Sequence, residues 1–220
     1  MEEKNTRSYR LTEKLSQLFN LESNIETGLS VSMSYLTQLL NSDRSSVFLF
    51  QHWDQHLTIF SSLDLEKHEA IIPKSCGVSG WVFTHRKPAI INNAYDDSRF
   101  YKEIDEVTGF KTQNLICAPL LFSEHQCLGT IQSLNKKDGN FTDDDLELLK
   151  LAASMVSIAI NNSKRYDELL VSNKARKKFI DQIFPGGSNL ENLVKERTYN
   201  RKEDNRVAGS ATGWCWHDCF

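Results

Sequence analysis

Apolar residues recur at spacings of three and four through the first forty positions. Leu11, Leu15 and Leu18 keep one face, and Ile25, Leu29, Met33, Leu36 and Leu40 continue it, which is the helical period. Residues 20–24 interrupt this helical stretch, and Asn41-Ser42-Asp43 ends it with turn-forming side chains. The pattern then shortens. Ser46-Val47-Phe48-Leu49-Phe50 is a nearly continuous apolar run and predicts a buried strand. Residues 57–60 and 69–72 predict two more strands, the second closed by Pro73. Gly77-Val78-Ser79-Gly80-Trp81-Val82-Phe83 predicts a short helix, and 88–91 a brief strand. Residues 92–113 are polar and without a period, the pattern of a long functional loop or lid. Residues 114–122 and 127–134 predict a hairpin around Ser123-Glu124-His125, with Gly129 marking a bulge or a close backbone approach.

Thr142 caps a long helix, with Asp145 three residues on and Asp143 and Asp144 at its positive end. Leu146, Leu149, Ala153, Val156 and Ile160 form its expected buried stripe. Past Asn161-Asn162 the stripe thins. Tyr166, Leu169, Ile180 and Ile183 fit a heptad seam with Asn173 and Arg176 in its middle, as in a helical connector or weak coiled coil. Pro185-Gly186-Gly187 stops it, and the remainder to Phe220 is polar, aperiodic and expected to be disordered. The expected organisation is an N-terminal helix over 1–22, a domain over 23–162, a connector helix over 163–184 and a tail over 185–220. No internal repeat is evident. Helices at both ends with strands between predict an α+β sandwich: a central antiparallel sheet of about six strands with the terminal helices on one face.

Composition narrows the function. A chain of 220 residues holds one packed domain plus extensions, and a net charge of −3 gives no reason to expect nucleic acid or an anionic membrane as partner. The longest apolar stretches are strand-sized, far below the roughly 20 residues of a membrane span. The start, Met-Glu-Glu-Lys-Asn-Thr-Arg, lacks the apolar core of a signal peptide. Five cysteines without a framework, in a chain with no export signal, fit reduced thiols and a cytoplasmic setting. Cys117 and Cys127 read as small buried hydrophobes. There is no P-loop, no Rossmann glycine pattern and no local setting for a catalytic triad, and Asp96 and Asp97 read as solvated loop acids. His52, His56, His68, His85 and His125 are each isolated. The tail's Cys215-Trp216-His217-Asp218-Cys219 offers one metal-capable cluster where a structural zinc site needs more. No catalytic residue and no metal are expected.

The order of elements, with Gly77-Val78-Ser79-Gly80-Trp81-Val82 at its centre, resembles the GAF family over 24–162. A narrower set resembles the cyclic-nucleotide-binding GAF domains of phosphodiesterases and some bacterial cyclases. It comprises Ala94-Tyr95-Asp96-Asp97-Ser98-Arg99-Phe100-Tyr101, then Asp105, then Thr108-Gly109-Phe110-Lys111-Thr112, and the strand Leu115-Ile116-Cys117-Ala118-Pro119-Leu120. After the hairpin follow Asn135-Lys136, Phe141 and Asp145; the subfamily's signature ends in Asp-Glu, and here Leu146 takes the place of the Glu.

That resemblance implies a regulatory small-molecule sensor and not an enzyme, with a cyclic purine nucleotide as ligand. It places Val78 and Ser79 against the cyclic phosphate through their backbone, at a helix start whose free N–H groups suit an anion. Tyr101 would contact phosphate and sugar, Thr108 and Thr112 would donate hydroxyl bonds, and Asp105 would face the base. Ser46 and Phe60 would line the purine pocket, and Gln132 would meet the base edge. A Gln amide accepts from the adenine amino group and donates to a ring nitrogen, which favours cyclic AMP over cyclic GMP. Asn135, Lys136, Phe141 and Asp145 are structural in the family, the Lys136–Asp145 pair bridging strand end and last helix. Neither Cys76 nor Cys117 is followed by the His found beside a bilin-bearing cysteine, so no cofactor is expected. Dimeric relatives pack their terminal helices into a parallel bundle, which implies a parallel homodimer. The segment 173–180 resembles the start of a histidine-kinase dimerisation helix without its phospho-accepting His, so either an effector domain is missing here or the chain is a truncated or standalone product. The alternative is a GAF dimerisation module with no nucleotide ligand, a fragment of a histidine kinase, cyclase or phosphodiesterase.

Overall fold

The computed structural model describes residues 2–21, 24–62, 71–124 and 126–183; the expected tail lies outside them, as do Glu69 and Ala70 of the third strand. The chain divides into two compact units, 1–164 and 165–220. The first unit begins with helices α1 (Glu2–Leu21) and α2 (Ile25–Leu40), and strands β1 (Ser42–Gln51), β2 (His56–Ser62) and β3 (Ile71–Pro73) follow. Next come α3 (Gly77–His85), β4 (Ala89–Ile91), α4 (Glu103–Thr108), β5 (Leu115–Ser123) and β6 (Gln126–Lys136). The last helix, α5, is Asp143–Ile183.

Local chemistry sets the ends. The Asn24 side chain accepts from the Glu26 N–H at 2.8 Å and caps α2, and Asn41, in the left-handed region at φ 49°, closes it. At α5 the Thr142 hydroxyl accepts from the Asp145 N–H at 3.3 Å while Asp145 Oδ2 accepts from the Thr142 N–H at 3.0 Å, a reciprocal capping box.

The six strands form one antiparallel sheet in the order β3-β2-β1-β6-β5-β4, so the β5–β6 hairpin lies inside it. Strand alternation sends residues to two faces. Val47, Leu49, Ile116, Ala118, Leu120 and Ile131 join Leu11 and Leu15 of α1, Leu29 to Leu40 of α2, and Leu148 to Ile160 of α5 in one core. All three terminal helices therefore cover the same face, as expected. The opposite face carries Phe48, Leu57, Ile59 and Ile72 in one cluster and Val78, Val82, Leu115, Cys117 and Leu134 in another.

Three expectations need correction. Strand β1 begins at Ser42, four residues before its apolar run, because Ser42 and Ser45 exchange hydroxyl bonds with Ser133 at 2.9 and 2.7 Å and are buried as a polar ladder. The stripe of α5 starts at Leu148, not Leu146: the inward place one turn earlier belongs to Asp145, and Leu146 is only partly covered. Residues 92–113 are not a plain loop but hold a single 3-10 turn (Ala94–Asp96) and α4, whose six residues are too few to show a period. Among the described residues, no helix is long and apolar enough to cross a membrane. In the second unit the described residues 165–183 are helical, with Tyr166, Leu169, Phe179, Ile180 and Ile183 exposed.

Candidate functional site

Between the sheet face opposite the helices and the segment 72–112 lies a cavity. Its floor is read across two strands: Ser46 pairs with Gln132, and two residues along Arg44 pairs with Leu134. On one side α3 presents its first turn, Gly77-Val78-Ser79; on the other, α4 and its flanks present Tyr101, Ile104, Asp105, Thr108, Phe110 and Thr112. Gly77 needs its freedom here: φ is +70°, and an added Cβ would stand 3.3 Å from Cβ of Tyr101. The cavity has a volume of about 60 Å³, room for a few waters rather than a nucleotide.

Of the nine residues expected at a ligand, Ser46, Val78, Ser79, Tyr101, Asp105, Thr108, Thr112 and Gln132 line this one cavity. Phe60 does not. Leu57 and Ile59 of β2 face the cavity side, so Phe60 turns to the opposite face and packs against the helical core. Phe48, which pairs with Ile59, stands in the cavity wall in its stead.

The polar groups are not idle. Thr112 was expected to offer its hydroxyl to a ligand, but that hydroxyl donates to Asp105 Oδ1 at 2.8 Å, and its N–H donates to Oδ2 at 2.6 Å. Tyr95 donates its hydroxyl to the same Oδ2 at 3.0 Å. Asp105 thereby ties α4 to the 3-10 turn and to the approach of β5, a latch across the lid. The Thr108 hydroxyl bonds back to Ile104 O at 2.7 Å, as a helical Thr does. Ser79 donates to Gln132 Oε1 at 2.9 Å, so the proposed base reader is held by the first turn of α3.

The lid is anchored at both ends. Arg99 grips Asp97 with two bonds of 2.9 and 2.7 Å and lies over the Trp81 ring at 4.7 Å, fastening the lid to α3. The Arg99 bonds hold the Asp97 carboxyl below its ordinary range against the opposing effect of burial. At the other end Asn135 accepts from the Gln113 N–H at 2.7 Å and donates to Lys111 O at 2.9 Å. Next to it Lys136 bonds Asp145 at 2.7 Å, and Phe141 is buried beside them. Cys117 of β5 pairs with Gln132 and is buried in the cluster behind the cavity, its thiol pKa pushed up to about 12 by burial, with partial relief from Ser79 and Thr130. A thiol buried in this way is a structural side chain rather than a reactive thiolate.

Sequence reasoning missed Arg44, Phe48, Phe110, Leu115 and Leu134 as cavity residues. The signal was present in strand alternation: 44, 46 and 48 share one face of β1, and 132 and 134 share one face of β6.

The sequence profile of the GAF domain matches residues 24–160. The dual 3',5'-cyclic-AMP and -GMP phosphodiesterase 11A of Takifugu rubripes is 29% identical over 178 residues, covering 72% of this chain and 19% of that protein. The cGMP-specific 3',5'-cyclic phosphodiesterase of Drosophila melanogaster is 33% identical over 132 residues, covering 57% of this chain and 12% of that protein. The chain thus spans a fifth or less of the length of these two relatives. Among solved structures, the GAF domain from a phosphoenolpyruvate-protein phosphotransferase of Coxiella burnetii superposes with a TM-score of 0.66 at 14% identity, covering 74% of this chain and 98% of that one. At that identity the likeness speaks for the fold alone.

Proposed function

Because the chain belongs to the GAF family, we propose that its cavity binds a cyclic purine nucleotide, cyclic AMP over cyclic GMP, and that the domain is a non-catalytic sensor. The observation that carries this reading is the convergence of eight of the nine family-derived contact positions on one cavity. The start of α3 supplies free N–H groups for the phosphate. Phe48, Phe100 and Phe110 supply apolar and aromatic surface for a ring.

Binding in this scheme is coupled to the lid. The closed cavity is too small for a nucleotide, so the Asp105 latch must open and re-form around the ligand. Gln132 must exchange the Ser79 hydroxyl for the base edge. A signal follows only if the ligand prefers one of two arrangements of the protein. Equilibrium binding of the two nucleotides to wild type and Gln132→Glu tests the base reading. The expected result is a preference for cyclic AMP in wild type that moves towards cyclic GMP in the variant, because a carboxylate accepts from guanine. Equal preferences in the two proteins would remove Gln132 from that role.

The second part of the reading concerns output. The exposed apolar residues of α5 beyond Lys164, among them Tyr166, Leu169, Ile180 and Ile183, favour a parallel homodimer that passes the signal to an effector domain outside this sequence, in a cytoplasmic protein. A dimer is expected by light scattering at high micromolar concentration; a monomer, with and without nucleotide, would contradict it and leave α5 as a plain connector.

A further inference from the structure

Arg44 stands on β1 opposite Leu134, two residues from the Ser46–Gln132 pair, which is about 7 Å along the strand. Its side chain lines the cavity, and its guanidinium carbon sits 4.3 Å from the centroid of the Phe110 ring. Nε is wholly buried and has no hydrogen-bond partner. Among the described residues no carboxylate and no carbonyl is bonded to the guanidinium. The other charged side chain of the cavity, Asp105, is spent on Thr112 and Tyr95.

Folded chains pair their buried donors, because a desolvated N–H without an acceptor loses the bond it made to water. A guanidinium has only donors and cannot relieve the loss by deprotonating. The arginine is therefore placed where the empty protein gains little from it. The ring contact with Phe110 orients the guanidinium plane and leaves its N–H groups unspent.

We propose that Arg44 is a ligand-binding residue whose guanidinium donates to an acceptor atom on the base of the bound nucleotide, a ring nitrogen or keto oxygen, beside the Phe110 ring. The proposal rests on the nucleotide reading above. Gln132 is in hydrogen-bond reach of Ser79 at the start of α3, and Arg44 stands one strand step along the floor from the Ser46–Gln132 pair, where a base bound with its phosphate at α3 would be within reach of both. Adenine and guanine both present acceptors, so Arg44 sets the affinity for both nucleotides while Gln132 chooses between them.

The test is Arg44→Met in the full chain, with the thermal midpoint of the ligand-free protein and the binding of cyclic AMP and cyclic GMP measured together. Methionine keeps contact with Phe110 and removes the donors. The expected result is a ligand-free midpoint at or above that of wild type, with both nucleotides weakened at least tenfold and by similar factors. A lower midpoint would overturn the proposal by making Arg44 structural, and so would binding within twofold of wild type. If wild type binds neither nucleotide, the nucleotide reading falls, and the midpoint alone decides: at or above wild type keeps Arg44 as the anchor for a different acceptor-bearing ligand, and below wild type removes it.

Discussion

Asp145→Ala is expected to destabilise the fold by about 3–5 kcal/mol, the cost of removing one partner from a buried ion pair. Only 2% of the Asp145 side chain and 15% of Lys136 are exposed, and the two meet at 2.7 Å. The same carboxylate accepts from the Thr142 N–H and hydroxyl, each at 3.0 Å, and Arg7 of α1 approaches its other oxygen at 3.5 Å. Alanine would strand the Lys136 ammonium with Leu40 O at 3.4 Å as its remaining partner, and would dissolve the cap of α5. Burial alone would raise the Asp145 pKa. The bonds from Lys136 and Thr142 outweigh it and hold the carboxyl below its ordinary value. A carboxyl depressed by folding contributes stability that is complete above the unfolded value of about 3.9 and is lost as pH falls through the folded value. Urea midpoints of wild type and variant should therefore differ strongly at neutral pH and converge in acid. A difference under about 1 kcal/mol at neutral pH would reduce the bridge to the worth of an exposed pair.

Gly129→Ala is expected to cost about 3 kcal/mol, the upper end of the range for overpacking. Gly129 sits on β6 opposite Leu49 of β1. A Cβ there would lie 1.9 Å from Phe48 O and 2.9 Å from Leu49 Cα. Both are main-chain atoms of the neighbouring strand, which cannot rotate aside as a side chain can. The sheet must spread between β1 and β6, its two central strands, and Phe48 moves with it. The denaturation midpoint should fall, and nucleotide affinity should fall too because Phe48 walls the cavity. A variant as stable as wild type would mean that the two strands are not in such close contact.

Much of this was legible in the chain because burial writes periodicity. The helical stripe of α2, the apolar runs of β1 and β5, and the close approach at Gly129 are all products of one packed interface. The misreadings share a different origin. The serines at 42, 45 and 133 are buried by bonding one another, so hydropathy hides the first four residues of β1. Asp145 takes an inward helical position because cations await it, which displaces the expected Leu146. Phe60 is placed at the ligand by the family resemblance alone, and the face of β2 it occupies, which the resemblance does not decide, turns it to the helical core. The Asp105–Thr112 latch joins residues seven apart through a helix too short to announce itself, and nothing in residue type told whether those groups would be free or paired. Arg44 was invisible for the converse reason: its significance is an unpaired atom, and pairing is a property of the folded chain.

The central claim is a cyclic purine nucleotide bound in the cavity beneath the Asp105 latch, and the most direct measurement is calorimetric titration of the full chain with cyclic AMP and, in parallel, cyclic GMP. The expected result is saturable binding of cyclic AMP, the weaker of the two dissociation constants belonging to cyclic GMP. If neither nucleotide binds with a dissociation constant below about 1 mM, some 4 kcal/mol, the claim is contradicted, and the domain is a GAF module that dimerises or senses another ligand.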